Sequence, residues 1–215
     1  MLVDLHTHHR NRSQCAKDDE EDMIQSAIER GLDGIVFTDH GKFVPKKRLT
    51  ELRKKYPKIC LWSGIEITTC EWCDFVVIGL RDKCLEYDIP QSVHDLKWTA
   101  DELIKYVRKK GGWIHLCHPS FQNGLMPPAM MERRAPYAIE MRSNTIPEHQ
   151  MHDIQDMALI WGCRLVAVSD AHDVNGLGRY AVRLNGRVRT ERQLINKLLR
   201  NEYTLKLGEE NEGIS

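Results

Sequence analysis

Histidines and acids gather in five short clusters along this 215-residue chain: Asp4-Leu5-His6-Thr7-His8, Thr38-Asp39-His40, Gly64-Ile65-Glu66, His118-Pro119 and Ser169-Asp170-Ala171-His172. Successive strand side chains point to opposite faces. His6 and His8, after the apolar Leu2-Val3, therefore project to one side, as do Asp170 and His172 after Leu165-Val166-Ala167-Val168. Burying several imidazoles and carboxylates at one mouth without a cation would leave polar groups unpaired and like charges adjacent. Divalent metal binding resolves that conflict. Mixed nitrogen and oxygen donors suit Zn²⁺, Mn²⁺ or Fe²⁺ better than Ca²⁺ or Mg²⁺, which prefer all-oxygen shells.

The elements that must position these groups alternate short apolar runs with helical stripes. Strands are expected near Leu2–Leu5, Gly34–Thr38, Ile59–Glu66, Phe75–Leu80, Trp113–Leu116, Ala138–Met141 and Arg164–Ser169. Helices are expected near Glu20–Arg30, Lys47–Tyr56, Ala100–Lys110, Gln150–Trp161 and Glu191–Arg200. Met23, Ile24, Ala27 and Ile28 make one apolar stripe that stops at Gly31; Leu103, Ile104 and Val107 make another that stops at Gly111-Gly112. The alternation is that of an α/β fold with a mainly parallel sheet or barrel, and every cluster falls at or just past a strand's carboxyl end, where such barrels assemble catalytic residues. The segment between Pro119 and Pro136, rich in Met, Pro and Arg, reads as a long loop over one end of the sheet.

With 41% apolar residues the chain can bury one full core, and no linker demands a second domain. A single domain over residues 1–207 and a solvated tail over 208–215 are expected. Lys plus Arg and Asp plus Glu balance at 31 each, so net charge announces neither a nucleic-acid nor a membrane partner. The N-terminus is too quickly polar for a signal peptide, no segment is long and apolar enough to span a bilayer, and seven scattered cysteines fit reduced thiols; a cytoplasmic protein is expected. Cys70-Glu71-Trp72-Cys73 has no second pair at zinc-ribbon spacing and reads as a loop with two ordinary thiols. The basic run from Lys46-Lys47-Arg48 to Arg53-Lys54-Lys55, with Leu49 and Leu52 at helical spacing, is most simply a solvated helix face; a nucleic-acid contact is the weaker alternative, since no aromatic stacking platform accompanies it.

Taken together, Asp-Leu-His-Thr-His, Gly-Leu-Asp-Gly-Ile-Val-Phe-Thr-Asp-His, Gly-Ile-Glu-Ile, Gly-Gly-Trp-Ile-His-Leu-Cys-His-Pro and Val-Ser-Asp-Ala-His, in that order over residues 2 to about 180, resemble the PHP (polymerase and histidinol phosphatase) family. The resemblance implies a distorted seven-stranded (β/α) barrel with up to three divalent ions at its carboxyl rim, Mn, Fe or Zn, and phosphoesterase activity. By the family pattern His6, His8, Glu66 and Asp170 hold one metal. Glu66 bridges to a second bound also by His118, and His40 and His172 belong to a third. Two positions depart from that pattern. Gln14-Cys15 stands where an Asp or His is usual, making Cys15 a candidate thiolate ligand, the other reading being a third site weakly held or absent. Arg81, which has no lone pair to offer, stands where the second metal normally finds another histidine; His94 and His115 are the substitutes weighed. His115 reads better as a core residue. His9, adjacent to His8, should point away as a supporting or surface residue, and Asp4 can orient a ligand imidazole.

A phosphate held by metals needs its remaining oxygens neutralised, and Arg10, Arg12, Lys42, Arg142 and Arg179 all lie near ligand motifs or strand ends. Arg142 and Arg179 are the foremost of these. The leading expectation is a metal-dependent phosphomonoesterase acting on a small phosphorylated metabolite or nucleotide, of the histidinol phosphate or nucleoside phosphate type. Asp170, His118 and His172 are its catalytic candidates, with His118 or His172 protonating the leaving oxygen if free of metal. The alternatives are an exonuclease or oligonucleotide phosphatase, and a non-catalytic metal-binding regulatory module.

Overall fold

The computed structural model of the protein describes residues 1–88, 92, 95–119 and 135–208. Among these, ten strands alternate with five α-helices: β1 (Leu2–Thr7), α1 (Glu20–Glu29), β2 (Gly34–Phe37), α2 (Lys46–Lys55), β3 (Cys60–Ser63), β4 (Ile65–Thr68), β5 (Asp74–Ile78), α3 (Ala100–Lys110), β6 (Trp113–Leu116), β7 (Ala138–Arg142), α4 (Met151–Trp161), β8 (Arg164–Ala167), β9 (Tyr180–Leu184), α5 (Glu191–Leu199) and β10 (Tyr203–Leu207). The helices sit where the apolar stripes place them, and their ends have local causes. Asp19 caps α1 by accepting from the Glu21 and Asp22 amides, Thr99 and Glu102 form a capping box on α3, and Gly111 closes α3 in the left-handed conformation that glycine adopts without a Cβ penalty.

The strands form two five-stranded sheets, in the orders β10-β9-β1-β2-β3 and β4-β5-β6-β7-β8. This corrects the expected seven-stranded, mainly parallel barrel: four pairings are parallel and four antiparallel. The ladders do not close, for two reasons. Strand β9, absent from the sequence reading and carrying β10 on its other edge, pairs with β1 at Leu2 and Val3, where a closed barrel would need β8. The expected Ile59–Glu66 strand is also broken at Gly64 into β3 and β4, which belong to different sheets. The sheets meet at two isolated parallel bridges, Thr7 with Ala171 and His40 with Glu66.

Side-chain alternation sorts the core into three packed clusters. Val3, Leu5, Val36, Trp62, Val76, Trp113, Val166 and Val182 fill the space between the sheets. Ile67, Phe75, Ile114 and Ile139 face α3 and α4, while Ile35, Phe37 and Leu61 face α1 and α2. Among the described residues no helix is long and apolar enough to cross a membrane, and all seven cysteines are free thiols. The expected Pro119–Pro136 loop and the 208–215 tail fall almost wholly outside the described residues, as does His94.

Gly64, at the break between β3 and β4, has no room for a side chain. A Cβ on it would lie 2.6 Å from the Val77 carbonyl oxygen, and Val77 is held in register opposite Ile65. Gly64→Ala should therefore destabilise the fold by about 1–3 kcal/mol, the usual range for overpacking. The check is a lower urea midpoint with unchanged slope; an unaltered midpoint would show that the backbone yields freely.

Candidate metal centre

Backbone hydrogen bonds across the two bridges bring the clusters together. The Asp170 amide donates to the His6 carbonyl (3.0 Å) and the His8 amide to the Ala171 carbonyl (2.9 Å), setting the His6/His8 pair against Asp170 and His172. At the other bridge the Gly41 amide donates to the Glu66 carbonyl (2.9 Å), setting His40 beside Glu66. His118 enters from the loop after β6. Both His118 (φ 23°) and Asp170 (φ 51°) have left-handed backbone that side-chain-bearing residues seldom adopt, a conformation held only where the surroundings over-determine it.

The side chains converge tightly. His6 Nε2 and His8 Nε2 are 2.9 Å apart. Asp170 Oδ1 lies 3.5 Å from the first and 3.3 Å from the second, and Glu66 lies 3.6 and 3.2 Å from them through Oε1 and Oε2. Glu66 Oε1 is also 3.2 Å from His118 Nε2, and its Oε2 is 2.8 Å from His40 Nδ1. Glu66 is therefore the shared carboxylate of the cluster. Cys15, His8, His40 and His172 form an adjoining group whose donor atoms all lie within 4.8 Å of one another. Most of the sequence-derived candidates, His8, Cys15, His40, Glu66, His118, Asp170 and His172, line one cavity of about 280 Å³, and His6 is buried beneath it.

A cation fits this arrangement. Glu66 Oε2 and Asp170 Oδ1 are buried without a hydrogen-bond partner among the described residues, which is costly for an ionised oxygen. His6 Nδ1 is taken up by Glu140 Oε1 at 2.7 Å, leaving Nε2 to face the carboxylates. Burial pushes His8 down to about 4, so its ring is neutral and able to ligate. For His40 and His118, burial works toward the neutral form, but Glu66 outweighs it and raises them to about 11 and about 9. The pocket thus recruits positive charge. His6, His8, Glu66 and Asp170 are the residues able to hold one ion, Glu66 with His118 a second, and Cys15, His40 and His172 a third.

Several groups that support the site escaped the sequence reading. Glu140 on β7 accepts from the His118 amide (2.8 Å) while its Oε1 meets both His6 and His115 (3.2 Å). An acid inside the apolar run Ala138–Met141 was the signal available for it. His115 is buried, takes a hydrogen bond from the Trp113 indole (3.0 Å) and belongs to the core as expected, beneath the cavity. Asp4 does not touch an imidazole; its carboxylate receives the amides of Ser169 and Gly178 (2.9 and 3.2 Å), so Glu140 holds the ring that Asp4 was expected to orient. His9 does turn away, onto the Phe37 ring and toward Asp39. Asp74, on the antiparallel strand β5, lines the cavity with its Oδ2 4.0 Å from His118 Nε2 and its Oδ1 fixed by the Thr68 hydroxyl (2.6 Å). Burial, with Glu66 adding to it, pushes Asp74 up to about 6.

The expected phosphate-binding arginines are not brought to this cavity. Arg142 donates to the Tyr180 hydroxyl (3.0 Å) and the Ile146 carbonyl (3.2 Å), and both Arg142 and Arg179 stack on the Tyr180 ring. Arg12 is bound by Asp39 and Glu20, Lys42 pairs with Asp88, and Arg10 lies 3.9 Å from Asp19. Arg81 points to the Val44 carbonyl and the Phe43 ring and does not line this cavity.

The sequence profile of the PHP domain matches residues 4–118, more than half of the chain. The chain belongs to the PHP domain family and is a metal-dependent phosphoesterase. Similar solved structures include PsfC from Pseudomonas syringae, at 16% identity and a TM-score of 0.70 over 95% of this chain and 90% of that one. A two-domain Bacteroides vulgatus protein containing a predicted PHP-like metal-dependent phosphoesterase is 18% identical, with a TM-score of 0.70 over 97% of this chain and 65% of that one. The lesion-specific endonuclease PfuEndoQ from Pyrococcus furiosus is 14% identical, with a TM-score of 0.69 over 95% and 57% respectively. At these identities the likeness is one of fold. No match was found among curated proteins.

Cys15 offers a direct check on the geometry. Burial alone would raise its thiol, but hydrogen bonds with His172 and His40 outweigh it and bring the pKa down to about 6. Cys73, which burial pushes up to about 12, is its internal reference. At pH 7.5 iodoacetamide should therefore alkylate Cys15 at least about tenfold faster than Cys73, and divalent metal should protect it. Equal rates by peptide mass spectrometry would place the thiol outside the imidazole cluster.

Proposed function

We infer that this phosphoesterase is a phosphomonoesterase whose substrate is a small phosphorylated metabolite or nucleotide. The observation that carries the reading is the pair of buried carboxylates, Glu66 and Asp170, set against imidazole nitrogens in one small cavity lined by four histidines. At about 280 Å³ that cavity suits a small ligand. In this reading His6, His8, Glu66 and Asp170 hold the first metal. Glu66 and His118 hold the second, with Asp74 in place of the histidine absent at Arg81. Cys15, His40 and His172 hold a third. Bound divalent ions would activate water and neutralise the non-bridging phosphate oxygens.

The chain's own groups supply the rest. Glu140 fixes the His6 ring and the His118 backbone, and the Thr145 hydroxyl, donating to Asp170 Oδ2 at 2.9 Å, sets the second carboxylate. With fewer than three ions bound, the histidine left without a metal, His118 or His172, would give its proton to the leaving oxygen as the water oxygen bonds to phosphorus and the ester P–O bond breaks. The Nδ1 of His172 lies 3.0 Å from the Asp170 carbonyl oxygen, leaving Nε2 toward the cavity.

A second reading, cleavage of nucleic acid, is favoured by the exposed indole of Trp72. This residue stands in the β4–β5 turn two positions from Asp74, with a left-handed φ of 59°. A bare aromatic face at a site's rim can stack a base, and the Endonuclease Q relative was solved with a 27-mer duplex carrying an abasic lesion at its active site.

Protein loaded with Mn²⁺, Fe²⁺ or Zn²⁺ should release phosphate from one or a few members of a panel of nucleoside mono- and bisphosphates, histidinol phosphate and sugar phosphates. Asp170→Asn should lower that rate at least about a hundredfold. No release above the variant's rate across the panel would sink the monoesterase reading, and ordered or lesion-directed cutting of a labelled oligonucleotide, weakened by Trp72→Ala, would install the second. Asp74→Asn should weaken binding of one metal equivalent by about ten- to a hundredfold, read by calorimetric titration with Mn²⁺. An unchanged isotherm would remove Asp74 from the ligand set.

A further inference from the structure

The basic run on α2, solvated by expectation, is divided by the fold between two faces. Arg48 and Lys55 reach across to α1 and pair with Glu20 and Glu21, so that side of the run is neutralised. Lys46 and Arg53, seven residues apart and on one side of the helix, instead line a cavity of about 500 Å³. Arg81, from the loop after β5, and Arg189, just before α5, complete its wall. Among the described residues none of these four cations is ion-paired, and Glu191 is the one carboxylate in the lining.

Two of the guanidinium groups are held in place. Arg53 donates through Nε and Nη2 to the Leu61 carbonyl, at 2.9 and 2.6 Å. Arg81 donates through Nη2 to the Val44 carbonyl and stacks over the Phe43 ring at 5.4 Å from its centroid. Its Nη1 is buried with no hydrogen-bond partner among the described residues. Burial pulls the Arg81 pKa below its ordinary value and pushes the Glu191 carboxyl above its own. Four cations thus face a single carboxylate, Glu191, which interacts with both Arg81 and Arg53, and the wall carries fixed guanidinium donors whose fork matches phosphate oxygens.

We propose that this groove is a second, metal-independent binding site for a small multivalent phosphate anion, of the size of pyrophosphate or an organic bisphosphate. A nucleic-acid strand fits it less well. The lining contains no aromatic ring, the basic run does not continue as a charged track because Glu20 and Glu21 neutralise its other face, and the volume is that of a small-ligand site. No residue is shared with the lining of the metal-centre cavity. Occupancy here does not depend on the catalytic reading.

The test is protection from phenylglyoxal, read arginine by arginine by mass spectrometry on the intact, metal-loaded protein with inorganic pyrophosphate as probe. Modification of Arg53 and Arg189 should slow at least fivefold at millimolar pyrophosphate, while Arg200 and Arg10 react at unchanged rates. Citrate at equal concentration should give no protection. Lys46→Glu with Arg189→Glu, both exposed side chains outside the hydrogen-bond network, should raise the pyrophosphate concentration needed to protect Arg53 at least tenfold without moving the thermal midpoint. Equal modification with and without pyrophosphate would overturn the proposal. So would equal protection by citrate, or protection given by a single-stranded octanucleotide and not by pyrophosphate.

Discussion

Buried negative charge at the seam between two sheets is the constraint around which this protein is organised. Glu66, Glu140 and Asp170 are all but removed from solvent, and carboxylates so placed are tolerated only when paired or bound to a cation. Each answers with imidazole: Glu140 with His6 and His115, Glu66 with His8, His40 and His118, Asp170 with His6 and His8. The regular ladders end where these groups meet, leaving isolated bridges that free the strand ends to aim their side chains at a common point.

Around that point lies a supporting layer whose members rarely touch the cavity. Asp39 gathers the His9 amide, the Ser13 hydroxyl and the Arg12 guanidinium at 2.7, 2.9 and 2.7 Å. Burial opposes its charge, but His9 and Arg12 hold its carboxyl well below the usual range. Asp4 ties the strand ends of β1 and β8 through backbone amides. Such networks give up little when ligands bind, because the rings are already turned and their tautomers already chosen. The left-handed backbone at His118 and Asp170, of order 1–3 kcal/mol each in other proteins, is held in place by the same network.

A chain with zero formal net charge here conceals two opposite local fields. The metal centre is acidic and raises the pKa values of its peripheral histidines, whereas the flank between α2 and α5 is basic and unpaired. Electrostatics therefore acts through placement: Arg81, after β5, lines the basic groove, whereas Asp74, at the start of the same strand, lines the acidic cavity.

How much of this was legible follows from the range over which each feature is decided. That His6 and His8 share a face, that Asp170 and His172 do, and that α1 and α3 stop at Gly31 and Gly111 depend on strand period and helix-end geometry, which act over a few residues and can be read directly from the chain. The convergence of five clusters on one site was legible for the same reason, since all five stand at strand ends. Closure of the sheet, by contrast, depended on whether β8 or β9 would take the edge of β1, a choice between distant segments that local pattern does not contain. Asp74 reached the site only because β5 runs antiparallel to β4. Arg142 and Arg179 left the list of phosphate ligands because Tyr180 offered them a ring, and Arg81 turned outward because Val44 and Phe43 were there to receive it. The sequence by itself determined which residues could bind metal, through the chemistry and spacing of their side chains; the tertiary structure alone decided which of them share a carboxylate and which cations remain unpaired, because those are properties of contacts between segments far apart in the chain.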